Sequence, residues 1–539
     1  MPATFESYRE LNSKWKATCR VLLGGEIGEL DDYAGWLSDF KKQSHSGKSH
    51  VSGKETVYGD LPYSSGAKWI SFEEIEFGKK EGALDINQVK DFDSLLQAVS
   101  ERVVYSGNII LGNSNFAEKS TYVFDSNFVY CSEQVFESKY IAYTTHCVYS
   151  DCLFGCQCAS CNFGIRANNY LSNRNFEVSK LDYSSDIYFS HGLSGCSECF
   201  FSFNLRNKRH CIGNLELPKE KYLQIKAALL EGMRGELVKK KRLPSLEELV
   251  QEAKPDYAAI KKAAGAAKYV PERQDLAHVE KAFADASALI FGKRIGGIER
   301  VEGWMDRNSV RITEGKSCVS GAPVLVSEGY AWFGKFPRDR LITLPEAGEA
   351  GEKLCIGKED AEKLCLKNAA ELLSGIAFFC PVWQVGTNQG NVDCPASMDS
   401  ANCRKCEINI KAKNCSNCFW PRNSEALFGC YATGMSSSYC LKCYYSKNLT
   451  RCFELDASRN CSDCYFCHNV ENCHDCLLCF NAKNLRNAIG NHEYAKEEFE
   501  KMKKMILGEI FARVEKEGGL DFTVFSLPDK LNAMKRGKG

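Results

Sequence analysis

A twelve-residue period constrains this chain more than anything else in it. Cys394, Cys406, Cys418 and Cys430 are twelve apart, and Cys440, Cys452, Cys464 and Cys476 are again twelve apart, after one two-residue slip. Three residues earlier lie Cys403, Cys415, Cys461 and Cys473, and three later lie Cys443, Cys467 and Cys479. Leu427, Leu449 and Leu455 fill vacant places in these flanking columns, so cysteine and leucine substitute for each other. The first half keeps the same period with other residues. Phe116, Phe128, Tyr140, Cys152, Gly164, Phe176, Tyr188 and Phe200 read as one unbroken column, and Leu111, Val123, Val135, Cys147, Ala159, Leu171 and Tyr183 as a second. Ser114, Ser126, Ser138 and Ser150 form a polar ladder.

A fixed short period predicts a solenoid, in which one repeat cannot bury its face alone but a stack can. Twelve residues at about 3.3 Å each give a perimeter of roughly 40 Å, room for two or three short strands and tight turns. The expected fold is a right-handed parallel β-helix with twelve-residue coils. So narrow an interior suits small, soft side chains, and free cysteine is among the most buried residue types.

The period is nested in a tandem duplication. VLLGGEIGELDDYAGWL lies on LIFGKRIGGIERVEGWM at an offset of 268, pairing Trp36 with Trp304. NLRNKRHCIGN lies on NAKNLRNAIGN at 277. Each half opens with a segment of mixed helical and strand periodicity, read as an α/β or α+β domain. Each half closes with an amphipathic helix, PKEKYLQIKAALLEGM or EYAKEEFEKMKKMIL. Between the halves, Ser245 and Glu248 form a capping box after Pro244, which starts a helical linker. The expected domains are 1–105 (opening), 106–214 (first solenoid), 215–287 (helix and linker), 288–385 (opening), 386–491 (second solenoid) and 492–539 (helix and tail).

With 69 Lys and Arg against 69 Asp and Glu, the formal net charge is zero, so nucleic acid is not an expected partner. The chain has no apolar run of membrane-spanning length and no signal-peptide pattern at MPATFESYRELNSKWK, which predicts a cytoplasmic protein off the membrane. In a reducing compartment its 29 cysteines need an explanation other than disulfides. Packing is the first. Metal is the second: Cys461, Cys464, Cys467, Cys473, Cys476 and Cys479 are the candidate zinc or iron–sulfur ligands, with His468 and His474 in reach by sequence. CYFCH matches a haem-attachment pattern once, inside the repeat, and is read as part of it. GKSC at 315–318 is not a phosphate loop, because the glycine needed five residues before Gly315 is Val310. The KKKR run at 239–242 reads as a solvated helix end. No nucleophile, base and orienting group assemble from the sequence, so no catalytic residue is assigned.

The residues CSECFFSFNLRNKRHCIGNLELPKEKY and CHDCLLCFNAKNLRNAIGNHEYAKEEF resemble a group of Cys-rich repeat proteins common in genomes of uncultured microbes. Members are often labelled CaiB/BaiF, a CoA-transferase name that nothing in these residues supports. The resemblance covers the two repeat regions and their closing helices, and implies a fold without a mechanism. The function expected from the whole is a structural or protein-interaction scaffold, with a protein partner or self-association and no resident cofactor. The alternative is a metal-thiolate protein using the 461–479 block, and the third reading is an enzyme with a site in the opening domains.

Overall fold

The computed structural model describes residues 6–41, 44–78, 81–85, 88–270, 275–329, 331–431 and 435–536. It is a mixed α/β protein in which short parallel strands dominate. Their register carries the period. Asn127 pairs with Lys139 and Lys139 with Asp151 in the first half. Leu449 pairs with Cys461, and Cys464 with Cys476, in the second.

The chain turns more often than its period suggested. In the second half Asn460, Asp463, Phe466, Asn469, Asn472, Asp475, Leu478 and Asn481 all have positive φ, a left-handed corner every three residues. The residue after each corner points inward: Cys461, Cys464, Cys467, Val470, Cys473, Cys476, Cys479 and Ala482 belong to one buried cluster. Corners therefore recur at every third residue, more often than two or three strands per period would require. A left-handed conformation costs an ordinary L-residue about 1–2 kcal/mol, and least for Asn and Asp, which fill most of these corners. Cross-strand hydrogen bonds offset that cost: the corner N–H of Asn472 donates to the Arg459 carbonyl and that of Leu478 to the Tyr465 carbonyl, both at 3.0 Å. A three-residue side leaves room inside for one small side chain, which is why cysteine recurs.

Two departures from the period change which residues stack. Asp151 pairs with Asn162, Leu153 with Gly164 and Phe154 with Ile165, a step of eleven. The columns expected through this point are broken: Val123, Val135 and Cys147 are inward, but Leu171 and Tyr183 stand at corners, 43% and 53% exposed. Phe116, Phe128 and Tyr140 are likewise corner residues, whereas Phe176, Tyr188 and Phe200 are buried strand residues. In the second half Leu427 pairs with Cys440 and Phe428 with Leu441, a step of thirteen. Cys430 is thereby continued by Cys443, whose N–H donates to the Cys430 thiol at 3.3 Å, and not by Cys440.

Helices close both ladders at equivalent places, Lys219–Lys240 and Lys496–Glu517. The Ser245 cap forms as its sequence requires, with Glu248 N–H donating to Ser245 Oγ and Ser245 N–H to Glu248 Oε2.

The chain divides into two compact units that cut across its halves. The first comprises Met1–Lys42, Asn113–Pro271 and Thr313–Trp383; the second comprises Gln43–Gly112, Glu272–Ile312 and Gln384–Gly539. The opening segments expected as domains over 1–105 and 288–385 are thus each divided. Each ladder is completed by a segment from the other half of the chain. In the first unit, Cys380 N–H donates to His191 Nε2 at 3.2 Å. In the second, Ser106 N–H donates to His468 Nε2 at 2.9 Å. No helix among the described residues is long and apolar enough to cross a membrane.

Candidate functional site

The six cysteines singled out in the 461–479 block all lie inside the second ladder and are buried. Each thiol donates back to the carbonyl two residues earlier. Cys461 reaches Arg459 at 3.2 Å, Cys464 reaches Ser462 at 3.3 Å and Cys467 reaches Tyr465 at 3.3 Å. Cys473 reaches Glu471 at 3.4 Å, and Cys476 and Cys479 reach His474 and Leu477 at 3.6 Å. The serine ladder of the first half makes the same bond, Ser126 Oγ to Phe124 carbonyl at 2.8 Å. Serine also accepts from the next step, Ser138 N–H to Ser126 Oγ at 3.0 Å, as Cys467 Sγ does from Cys479 N–H at 3.4 Å. Cysteine here does the work of a serine that also packs as a hydrophobe. That equivalence was open to view in the sequence, where Ser and Cys columns share a spacing.

Burial pushes the thiols of Cys461, Cys464 and Cys467 well above their ordinary range, so they are protonated donors at neutral pH. The Cys464 thiol also reaches the Cys473 carbonyl at 3.5 Å, as the Cys461 thiol reaches that of Val470 at 3.5 Å, so the cysteines form a network of thiol-to-carbonyl bonds along the ladder. The two histidines are occupied elsewhere. His468 accepts from Ser106 N–H at Nε2, which places its proton on Nδ1, where it donates to Asp456 Oδ2 at 2.9 Å. His474 Nδ1 lies 2.6 Å from Ser462 Oγ. Among the described residues no group of three or more His, Cys, Asp or Glu is arranged to hold a metal ion.

Behind one end of this ladder the second unit has a groove of about 730 Å³. Its walls come from the 43–112 segment and carry Glu74, Glu76, Glu81 and Glu101, with His50 and Arg102. Hydrogen bonds from Ser49 and Ser52 hold Glu74 below the usual carboxylate range, and one from Lys68 does the same for Glu101. Glu81 faces Arg102 at 3.9 Å. Its floor is the ladder itself, at Phe480, Ala482 and Leu485. The carbonyls of Ala482 and Leu485 accept from the thiols of Cys473 and Cys476, both at 3.8 Å. The groove and the cysteine network therefore share a wall.

No family model, curated protein or solved structure matches this chain.

Both units also hold a buried ionic group that sequence reasoning missed. In the first, Arg166 donates to the Trp36 carbonyl and to Glu177 Oε2, the latter at 2.6 Å. In the second, Lys442 Nζ donates to the Trp304 carbonyl at 2.8 Å, and Glu454 Oε2 accepts from Val524 N–H at 2.9 Å. Burial, against the attraction of Glu454, pushes Lys442 down to about 8. Burial likewise raises Glu454 to about 7. Glu177 and Glu454 stand 277 apart, the duplication offset, and that coincidence was the available signal. These side chains anchor the turn around each tryptophan to its ladder. Hydrogen bonds to backbone groups occupy them, so they read as architecture.

Proposed function

We propose that the two strand ladders are β-solenoids of twelve-residue coils and that the protein serves as a scaffold for protein partners or further copies of itself. One observation carries the reading: the outer surface of the second ladder repeats with its backbone. Asn448 donates to Asn460 at 2.9 Å, Asn460 to Asn472 at 3.2 Å and Asn472 to Asn484 at 3.3 Å, a continuous line of side-chain amides. Beside it run Arg451 to Asp463 at 2.5 Å, and Arg459 to Glu471 at 3.0 Å with Lys483 to Glu471 at 2.9 Å. Side chains held this way lose little freedom on binding, and stacked repeats present extended, rigid surfaces suited to partners. The cysteines described are free thiols, a state kept by reducing surroundings, which supports a cytoplasmic location.

The test places a photo-crosslinking residue at Asn460 or Asn472 in the full chain, and at Lys239 as a control. A scaffold gives discrete crosslinks from the ladder positions, to one partner or to a second copy, and none from the control. Equal, diffuse labelling from all three positions would refute the reading.

A further inference from the structure

We propose that a groove beside the second closing helix takes a short amphipathic helix from a partner protein, its apolar face inward and a basic residue set against Glu498. The site lies apart from the amide line of the second ladder and stands or falls without it.

The first observation is the groove itself. It encloses about 520 Å³ between Leu84 and Val89 and the residues Glu498, Lys501, Met502 and Met505. Those four positions are spaced i, i+3, i+4 and i+7 on Lys496–Glu517, so they share one face of the helix. Leu84, Val89 and the two methionines make the lining largely apolar, and Met505 is 37% exposed. Methionine is flexible and polarizable, which suits a surface that packs an incoming helix.

The second observation is that the duplication fills the matching place in the first unit. Trp69 pairs with Tyr105 as Leu341 pairs with Phe379, which marks one equivalent point in each half. Leu95 and Leu96 lie on Leu372 and Leu373 at the offset of 277, which marks a second. Between these points the first unit has two helices, Leu344–Lys353 and Lys358–Lys363. The second unit has no α-helix there among its described residues. Lys358–Lys363 rests against the first closing helix: Glu362 pairs with Lys221 at 2.9 Å, and Ala361 and Leu364 are buried. Just before it, Ile356 N–H donates to the Gly213 carbonyl at 3.0 Å. A short amphipathic helix is thus what this fold lays against a closing helix when the chain supplies one.

The third observation is charge. The position equivalent to Lys221 is Glu498, so the sign at this edge is reversed. Neither Glu498 nor Lys501 has an ion-pair or hydrogen-bond partner among the described residues. Asp85 adds a second carboxylate to the lining and accepts from Gln88 Nε2 at 2.8 Å. An occupant like Lys358–Lys363 therefore needs Lys or Arg where that helix has Glu362. Like charges at this point would repel, so the pair chooses between partners more than it holds them.

The experiment uses the full chain and two fluorescein-labelled peptides with the sequence of residues 354–366. Both carry Cys355→Ser and Cys365→Ser, and one also carries Glu362→Lys. Binding is followed by fluorescence anisotropy. The Glu362→Lys peptide is expected to bind the parent chain saturably, about fivefold more tightly than the other. Glu498→Lys in the chain reverses that order, and Met505→Ala weakens both peptides. Both substituted residues are exposed, so the urea midpoint stays unchanged. A photo-crosslinking residue at Met505 in the chain without peptide tests a second copy as the occupant. The proposal is overturned by no saturable binding of the Glu362→Lys peptide, by an order that Glu498→Lys leaves as it was, or by a crosslink from Met505 to a second copy. Crosslinks from Asn460 are scored separately, so failure at one surface is told from failure at the other.

Discussion

Glu247 offers the sharpest test of the buried electrostatics. It sits in the first turn of the helix Leu246–Gln251, 1% exposed, and neither carboxyl oxygen has a hydrogen-bond partner. Its neighbour Glu177 has already taken the Arg166 guanidinium and the Leu246 N–H. Burial, reinforced by the Glu177 charge, pushes Glu247 from 4.5 up to about 7. Between those two pH values the folded chain keeps a proton that the unfolded chain has released. Stability therefore falls as pH rises through this window, by about 1.4 kcal/mol per pH unit, or about 3 kcal/mol in all, and is level above it. Glu247→Gln removes the titration while keeping the shape, and adds a pH-independent offset for its own buried amide. Urea unfolding of both proteins at pH 4.5, 5.5, 6.5 and 8, followed by tryptophan fluorescence, measures the difference. The variant should gain on its parent by about 3 kcal/mol from pH 4.5 to about 7 and no further. A difference that is constant with pH, or that grows toward acid, would show that Glu247 is not the uncharged member of this group.

Lys442→Met gives up the bond to the Trp304 carbonyl and the cation that attracts buried Glu454, and should cost about 1–3 kcal/mol by chemical denaturation. Gly155→Ala should cost about 1–3 kcal/mol or more, because φ is +69° and the added Cβ would stand 2.8 Å from the Leu37 carbonyl oxygen. Cys464→Ser keeps the bond to the Ser462 carbonyl and loses apolar burial, about 1 kcal/mol by the same assay. Limited trypsin cleavage at Lys268, beside exposed Tyr269 and Val270, should leave fragments that co-elute in native buffer and separate in urea. They co-elute because Thr313–Trp383 belongs to the unit of the first ladder.

How far the fold was legible differs between the two ladders. In the second, Asn and Asp mark corners that favour them and cysteine marks the inward places, so a single column of letters coincides with a single column in space. In the first, the corners are filled by residues such as Phe128, Tyr140 and Tyr122, whose side chains look like core in a sequence. Phe128 and Phe176 then fall at one spacing while occupying different sides, because one step has eleven residues. A period counted along the chain cannot reveal such a change. The backbone can, since strand pairing, unlike spacing, must satisfy each N–H and C=O. The groove was illegible for a related reason: Glu76 and Leu485 come together only when a segment of one half completes the ladder of the other.

The sequence by itself determined the repeat, the duplication, the closing helices and the identity of the inward-facing cysteines. All of these are local or periodic, and a narrow interior admits few residue types. Only the tertiary structure decided the corner at every third residue, the slips of eleven and thirteen, the exchange of opening segments between units, the buried pair of Arg166 with Glu177 and the burial of Lys442 and Glu454. These rest on where distant backbone groups meet. The free energy of such meetings depends on burial and on which hydrogen-bond partner arrives, and no residue carries that information alone.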